Sequence, residues 1–289
     1  MKVLGVDIGG TKIRFGIIDE HGKVYVDERI ETGFPLYELL EEHVVRLVKE
    51  YPEIEAVGVG TAGFVDAKSG RIVYMSETLP GWTGTEVKKQ LEAATGLRVE
   101  VENDANCAAL AEAKFGSGRE YERSVLLTLG TGLGGGIIVD RQILSAGPNG
   151  GAGEIGHMIL YPGGEMCSCG RRGCFEQYVS GTALKRRIAE AELDMTPMEL
   201  FPAAKVNEQA EKVVRDFTFD LACVISSLQA ALDMEAVIIG GGVSESASYW
   251  MSYLEEQLDG VMLNKLDVKL ASFENEAGIL GAALLVLSE

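Results

Sequence analysis

The sequence predicts an α/β fold built from two similar halves. Apolar strands and amphipathic helices follow one another along the chain, the signature of a layered α/β core. A glycine turn follows the first strand of each half, Asp7-Ile8-Gly9-Gly10-Thr11 in one and Leu129-Gly130-Thr131-Gly132 in the other. No low-complexity linker separates them. The length of 289 residues suits about two domains, and either half is long enough to bury a core.

Val3–Asp7 and Ile13–Asp19 are rich in β-branched residues and read as strands around the first glycine turn; Lys23–Ile30 reads as a third. Apolar Leu39, Leu40, Val44, Leu47 and Val48 recur at helical spacing, which predicts a helix over Leu36–Glu50. Ile54–Gly60 reads as a buried strand, Thr83–Thr95 as a helix, Leu97–Val101 as a strand and Ala105–Phe115 as a helix. In the second half, Val125–Leu129 and Gly135–Asp140 read as paired strands. A long helix over about Val206–Leu232 follows, then a strand at Ala236–Ile239. The triplet Gly240-Gly241-Gly242 precedes a further helix, a strand at Val268–Ala271 and a last helix at Ala277–Leu287.

Residues 145–176 stand apart. They hold nine glycines between Gly147 and Gly173 and little periodicity, which marks a functional loop. Inside it His157, Cys167, Cys169 and Cys174 follow the pattern H-x9-C-x-C-x4-C. Four soft ligands at such spacing fit a closed, structural zinc site with no position open for a reacting water. Three of the five cysteines fall within eight positions, which is metal-site spacing in a reducing compartment and not a disulfide framework. Cys107 and Cys223 read as small buried hydrophobes. Glu154 and Glu176 flank the cluster without being needed by the metal. With the His157 imidazole they make a donor and acceptor set suited to the vicinal hydroxyls of a sugar.

The net charge of −18 disfavours nucleic acid and anionic membrane as partners. The N-terminus enters a strand at once, without a signal peptide, and the longest apolar run, Gly278–Leu287, is shorter than a membrane span. A cytoplasmic protein is expected.

The glycine turns suit phosphate. Glycine lets backbone N–H groups approach phosphate oxygens, and Thr11 adds a hydroxyl. Asp7 at the strand end can hold hydrated Mg²⁺. Gly130-Thr131-Gly132 repeats the device, and Gly241-Gly242 opens a third turn at a strand-to-helix junction, suited to an α-phosphate or nucleoside. None matches a P-loop or a dinucleotide-binding fingerprint. Asp104, in Glu102-Asn103-Asp104-Ala105-Asn106, joins a strand to a helix. It reads either as a helix N-cap or as a general base at the carboxyl end of a strand.

The motifs DIGGTK (7–12), NDAN (103–106), LGTGLGGGI (129–137), AGEIGHM (152–158), CSCGRRGCFE (167–176), GGGVS (240–244) and EAGILGAA (276–283) together resemble the ROK family of sugar kinases and related repressors. The resemblance spans essentially the whole chain. It implies the two-domain actin/hexokinase-like fold, a duplicated ribonuclease H-like architecture with a cleft between domains. A small domain over 1–108, with the last helix (about 276–289) packed on it, and a large domain over 109–275 carrying the zinc loop are expected.

The resemblance further implies roles at matching positions. Asp104 looks like the base that takes the proton of the sugar 6-hydroxyl. Gly63, Asn103, Glu154, His157 and Glu176 resemble sugar contacts. Asp7, Gly9, Gly10, Thr11 and Lys12 resemble the first phosphate motif, Gly130, Thr131 and Gly132 the second, with Gly241 and Gly242 nearby in role. His157, Cys167, Cys169 and Cys174 match the zinc ligands. The implied activity is ATP- and Mg²⁺-dependent 6-phosphorylation of a hexose, glucose first, with N-acetylmannosamine, N-acetylglucosamine, mannose or fructose as alternatives. A homodimer or higher homo-oligomer is implied too. The chain departs from many members at Thr78-Leu79, where they carry Asn-Leu. A sugar-sensing repressor would need a DNA-binding segment before the first motif, which here begins at residue 7. A nucleic-acid zinc ribbon would need a second cysteine knuckle and more basic residues than Arg171 and Arg172.

Overall fold

In a computed structural model, residues 1–145, 147–273 and 276–287 are described. The first sheet holds strands β1 (Lys2–Ile8), β2 (Lys12–Asp19), β3 (Val24–Glu31), β4 (Ile54–Thr61) and β7 (Arg98–Asn103) in the order β3-β2-β1-β4-β7. The first three are antiparallel; β4 joins β1, and β7 joins β4, in parallel. Helix α1 (Leu36–Glu50) connects β3 to β4, and a small hairpin of β5 (Phe64–Asp66) and β6 (Arg71–Tyr74) precedes helix α2 (Val87–Thr95). Helix α3 (Asp104–Phe115) leaves directly from β7.

The second sheet holds β8 (Ser124–Leu129), β9 (Leu133–Val139), β10 (Gln142–Ile143), β11 (Ala236–Gly240) and β12 (Asp267–Leu270) in the order β10-β9-β8-β11-β12. Here too β11 pairs with β8, and β12 with β11, in parallel. The two sheets therefore share one strand order, and the duplication legible in the glycine turns extends to topology. This is the duplicated, ribonuclease H-like form of the actin/hexokinase-like fold.

Between β10 and β11 lie two 3-10 turns (Ile155–His157 and Phe175–Gln177) and helices α4 (Gly181–Glu190), α5 (Pro197–Ala203) and α6 (Glu208–Leu232). After β11 come a 3-10 turn (Gly242–Ser246), α7 (Ala247–Val261) and, after β12, α8 (Ala277–Leu287). Several boundaries differ from the sequence expectation. Helix α2 starts at Val87, not Thr83, because Trp82, Thr83 and Gly84 are spent on turns that bond back to β6. Helices α4 and α5 went unread because neither is long enough to build a clear apolar stripe. Each has a cap nonetheless: the Ser180 side chain accepts from the N–H of Ala183, and Thr196 with Glu199 forms a capping box.

By contact the chain forms two compact units whose borders differ from the expected 108 and 275. One is Met1–Glu120, Gly136–Gly153 and Phe273–Glu289; the other is Tyr121–Gly135 and Glu154–Ser272. Helix α3 explains the first shift, since a border at 108 would cut it in the middle. The end of the expected last helix, residues 288–289, lies outside the described residues.

In the first unit α8 packs on β1, β4 and α3 with almost no side-chain spacing. A β-carbon on Gly5, Gly58 or Gly281 would overlap the backbone of Ile279, Ala282 or Cys107 respectively. These glycines let two helices and a sheet meet backbone to backbone, which fixes where the N-terminus of α3 lies.

Candidate active site

The first unit gathers Asp7, the first glycine turn, Gly63, Asn103 and Asp104. β7 runs parallel to β4 with Asn103 beside Thr61, and β4 runs parallel to β1 with Gly60 beside Asp7. Parallel strands carry their carboxyl ends to the same edge, so Asp7 and Asp104 converge although 97 positions apart in sequence. Their charges interact: burial first, then the neighbouring Asp104 carboxylate, push Asp7 up to about 7, against a downward pull from Arg14. Burial likewise raises Asp104, opposed by its hydrogen bond from the Ala105 N–H. Two half-buried carboxylates that share a field make a hard-oxygen donor site that suits a divalent ion such as Mg²⁺, with Asp7 as the residue to hold it.

Asp104 is not the helix cap. Asn103 caps α3, its Oδ1 accepting from the N–H groups of Ala105 at 2.9 Å and Asn106 at 3.2 Å. The Asn103 Nδ2 donates to the Gly63 carbonyl at 3.1 Å, which leaves one N–H of that amide for a ligand. Gly63 has φ +103 and sits tight against the Tyr74 carbonyl and Met75, so no larger residue fits there.

The first turn is pinned from behind. The Gly9 N–H donates to the Lys12 carbonyl at 3.0 Å, and the Thr32 hydroxyl to the Gly9 carbonyl at 2.8 Å. Gly10, Thr11 and Lys12 remain exposed at the tip.

The second unit gathers Gly130, Thr131, Gly132, Gly241, Gly242, Glu154, His157 and Glu176. Thr131 is the exposed tip of its turn, as Thr11 is of the first. The turn is clasped by the start of α4: the Gly181 N–H donates to the Gly130 carbonyl at 2.8 Å and the Thr182 hydroxyl to the Thr131 carbonyl at 2.8 Å. Gly241, at φ +84, lies against β8; a β-carbon there would come 2.6 Å from the Leu129 carbonyl oxygen. Glu176 reaches the turn as well, its Oε2 accepting from the Leu133 N–H at 3.1 Å, and a β-carbon on Gly132 would overlap that carboxylate. The glycine turn and the carboxylate beside the cysteine loop are thus one hydrogen-bonded assembly.

The two 3-10 turns carry Glu154, His157 and Glu176. They are tied together by the Phe175 N–H, which donates to the Met158 carbonyl at 2.7 Å, and by a bridge between Ile159 and Cys174. One ring nitrogen of His157 and the Cys167, Cys169 and Cys174 Sγ atoms lie within 4.8 Å of one another. Cys167 Sγ is 3.6 Å from His157 Nδ1, and Cys169 Sγ is 3.6 Å from Cys174 Sγ. A tetrahedral zinc with ordinary bond lengths places such atoms about 3.6–3.8 Å apart. The donor set and its spacing therefore fit zinc. Nδ1 is the ring nitrogen turned to the cluster, which leaves Nε2 available to other partners. Burial works against the Cys169 thiolate, but hydrogen bonds from Arg171 and the neighbouring thiols bring it down to about 7, in keeping with a ligand that binds deprotonated.

The ROK family matches residues 3–289. The chain belongs to the ROK family. It is 34% identical to the glucokinase of Thermotoga maritima, an alignment covering 99% of this chain and 97% of that protein. Among solved structures, the ROK hexokinase from Thermus thermophilus superposes with a TM-score of 0.84 at 35% identity, covering 98% of this chain and 97% of that one. The ROK family glucokinase from Streptomyces griseus, crystallised with glucose and AMPPNP, gives 0.79 at 32% identity, covering 99% of each chain.

Sequence reading missed three features that shape this ROK site. Gly278 opens α8 against Asp7, and a methyl group there would overlap the Asp7 carboxylate. Gly181 and Thr182 hold the second turn, as described; the Ser-Gly-Thr start of α4 was a readable cap signal. Glu102, buried behind Asn103, gave no signal in sequence because an acidic residue before Asn-Asp reads as solvated. Lys12, expected at the phosphate, opens β2 with its side chain in solvent.

Proposed function

We propose that this ROK protein is a glucokinase that moves the γ-phosphoryl group of ATP to the 6-hydroxyl of glucose. Support comes from the convergence of Asp7 and Asp104 at one strand edge, together with kinship to a glucokinase crystallised with glucose and AMPPNP. Asp104 stands at the N-terminus of a rigid helix, with its neighbour Asn103 doing the capping. Its carboxylate accepts the 6-hydroxyl proton as the sugar oxygen bonds to the γ-phosphorus and the bond to the β-phosphate oxygen breaks. Asn103, Glu154, His157 and Glu176 orient the hexose, and the Gly10 and Thr11 amides of the first turn and the Thr131 and Gly132 amides of the second bind phosphate oxygens. Asp7 would hold Mg²⁺, which would supply charge neutralisation at the phosphates. The zinc ligands brace the two 3-10 turns that carry Glu154, His157 and Glu176. The same reading makes the protein a cytoplasmic homodimer or higher homo-oligomer. Among the described residues no helix is long and apolar enough to cross a membrane.

An ADP-release assay with MgATP over hexoses and N-acetylhexosamines tests the activity. Turnover is expected to be highest on glucose; a preference for an N-acetyl sugar or mannose would reassign the substrate, and none on any sugar would sink the kinase reading. Asp104→Asn is expected to lower kcat by about 10²–10⁴-fold with glucose affinity kept within a few fold. Near-normal turnover in that variant would remove Asp104 from the role of base.

A further inference from the structure

Glu102 precedes the Asn103–Asp104 pair and is 1% exposed. Its Oε1 accepts from the Asn103 N–H at 2.8 Å and from the Asn106 Nδ2 at 3.1 Å. These donors lie on either side of Asp104 in sequence, so one carboxyl group grips both arms of the turn that presents it. The same turn carries the α3 cap and the bond from Asn103 to Gly63.

The other Glu102 oxygen is unusual. Oε2 is fully buried and meets no hydrogen-bond partner among the described residues, and the same holds for Asn106 Oδ1. A hydrogen bond with the Ser145 hydroxyl favours charge on the carboxyl, but among the described residues no lysine or arginine acts on it. The titratable group facing it from α3 is the Cys107 thiol, which burial keeps protonated. A buried carboxylate without a cation is expensive, whereas a carboxylic acid turns one acceptor into a donor in a network that holds two acceptors lacking one. Burial raises Glu102 from its ordinary value, in the same direction.

We propose that Glu102 is a positioning residue, held as the neutral acid, which locks the Asn103–Asp104 turn so that the Asp104 carboxylate keeps its place at the sugar. This rests on the reading of Asp104 as the base. Through Asp104, Glu102 affects the chemical step while touching neither substrate.

The test compares Glu102→Gln, Glu102→Ala and Asp104→Asn in steady-state kinetics on glucose and MgATP, with folding checked by near-UV circular dichroism. Glu102→Gln keeps the Oε1 acceptor, stays neutral and offers an N–H where Oε2 was. It is expected to stay within about threefold of the parent kcat, as an isosteric neutral replacement. Glu102→Ala releases the turn and is expected to lower kcat by about 10–100-fold, with KM for ATP little changed. A folded Glu102→Ala enzyme with parental kcat, or a Glu102→Gln enzyme that falls as far as Glu102→Ala, overturns the proposal. Should Glu102→Ala fail to fold, the infrared difference spectrum between the parent and Glu102→Gln at neutral pH decides. A carboxylic-acid carbonyl band supports the neutral acid, and carboxylate bands alone overturn it. Asp104→Asn separates the two claims: if it stays active the base reading falls and this proposal with it, whereas an inactive Asp104→Asn beside a fully active Glu102→Ala sinks the Glu102 assignment alone.

Discussion

The two glycine turns are built on the same backbone and differ in chemistry. Each follows the central strand of a five-stranded sheet with one strand order, and each ends in an exposed threonine, Thr11 or Thr131. Register makes the comparison residue by residue. Asp7 lies beside Gly60 of the parallel neighbour β4, and Thr128 lies beside Gly240 of the parallel neighbour β11. Where the first unit has a half-buried carboxylate in the field of a second one, the other has a neutral hydroxyl. Where the second turn is clasped by Gly181, Thr182 and Glu176, the first is held from behind, among the described residues, by Thr32 and its own hairpin. Duplication thus copies the strand order and leaves each copy free to specialise: one toward holding charge, the other toward holding shape.

The sharpest way to break this contrast is to neutralise both equivalent positions. Asp7→Ala is expected to lower kcat/KM for MgATP by about 10²–10³-fold, because on the proposed reading the carboxylate that would hold Mg²⁺ is lost. Thr128→Ala is expected to cost less than about fivefold. Equal losses, measured by coupled assay over a range of Mg²⁺, would show that the two turns share one task.

The asymmetry should also appear in stability. The native state holds Asp7 protonated up to about pH 7, whereas an unfolded chain releases that proton near the ordinary aspartate value of 3.8. Between those limits the native state binds more protons, so Asp7 contributes stability that is complete below about pH 4 and is lost as pH rises through about 7. Asp7→Asn, without ligand or Mg²⁺, is therefore expected to be more stable than the parent at pH 8, by on the order of 2–4 kcal/mol, and equal to it near pH 4. Thr128→Ala should show no such pH dependence. Urea unfolding across this range checks both; a pH-independent difference for Asp7→Asn would place its carboxylate in water.

Next in size is shape. Gly132→Ala sets a methyl group against the Glu176 carboxylate and is expected to worsen glucose and ATP KM together, by about 10-fold or more, since one displacement disturbs turn and sugar ligand alike. Gly10→Ala meets only the Thr78 methyl, at 2.9 Å, and should change KM for ATP by a few fold with glucose binding intact. Isothermal titration with glucose separates these outcomes. The smallest effect is expected for Thr182→Val, which removes the hydroxyl bond to Thr131 and keeps the volume. Loss of one partly exposed hydrogen bond corresponds to about a 3–10-fold rise in KM for ATP.

Much of the architecture was legible before the structure. Alternating β-branched runs and the 3.6-residue spacing of α1 report which faces are buried, and β1, β2, β4, β8 and β11 emerged within a residue or two of their expected places. The cysteine cluster was legible for another reason: thiolate and imidazole have few uses at that spacing other than metal. Illegible were α4, α5 and the β5–β6 hairpin, whose segments are too short for periodicity to speak. The α3 cap was left open between two readings of Asp104, since Asn103 and Asp104 are both good caps and only the backbone shows that Asn103 has the extended conformation and Asp104 the helical one.

By itself, then, the sequence determined the family, the repeated α/β plan, the histidine–cysteine cluster and the identity of the carboxylates, because these depend on residue type and local spacing. The tertiary structure decided which carboxylates meet. Asp7 and Asp104 share a field only because β1, β4 and β7 are parallel neighbours in register, and Glu176 reaches Gly132 only because two short turns fold back beside β9. Glu102 gained its meaning the same way: a carboxyl group changes character when packing removes its water, and burial is a property of the whole fold that no local pattern encodes.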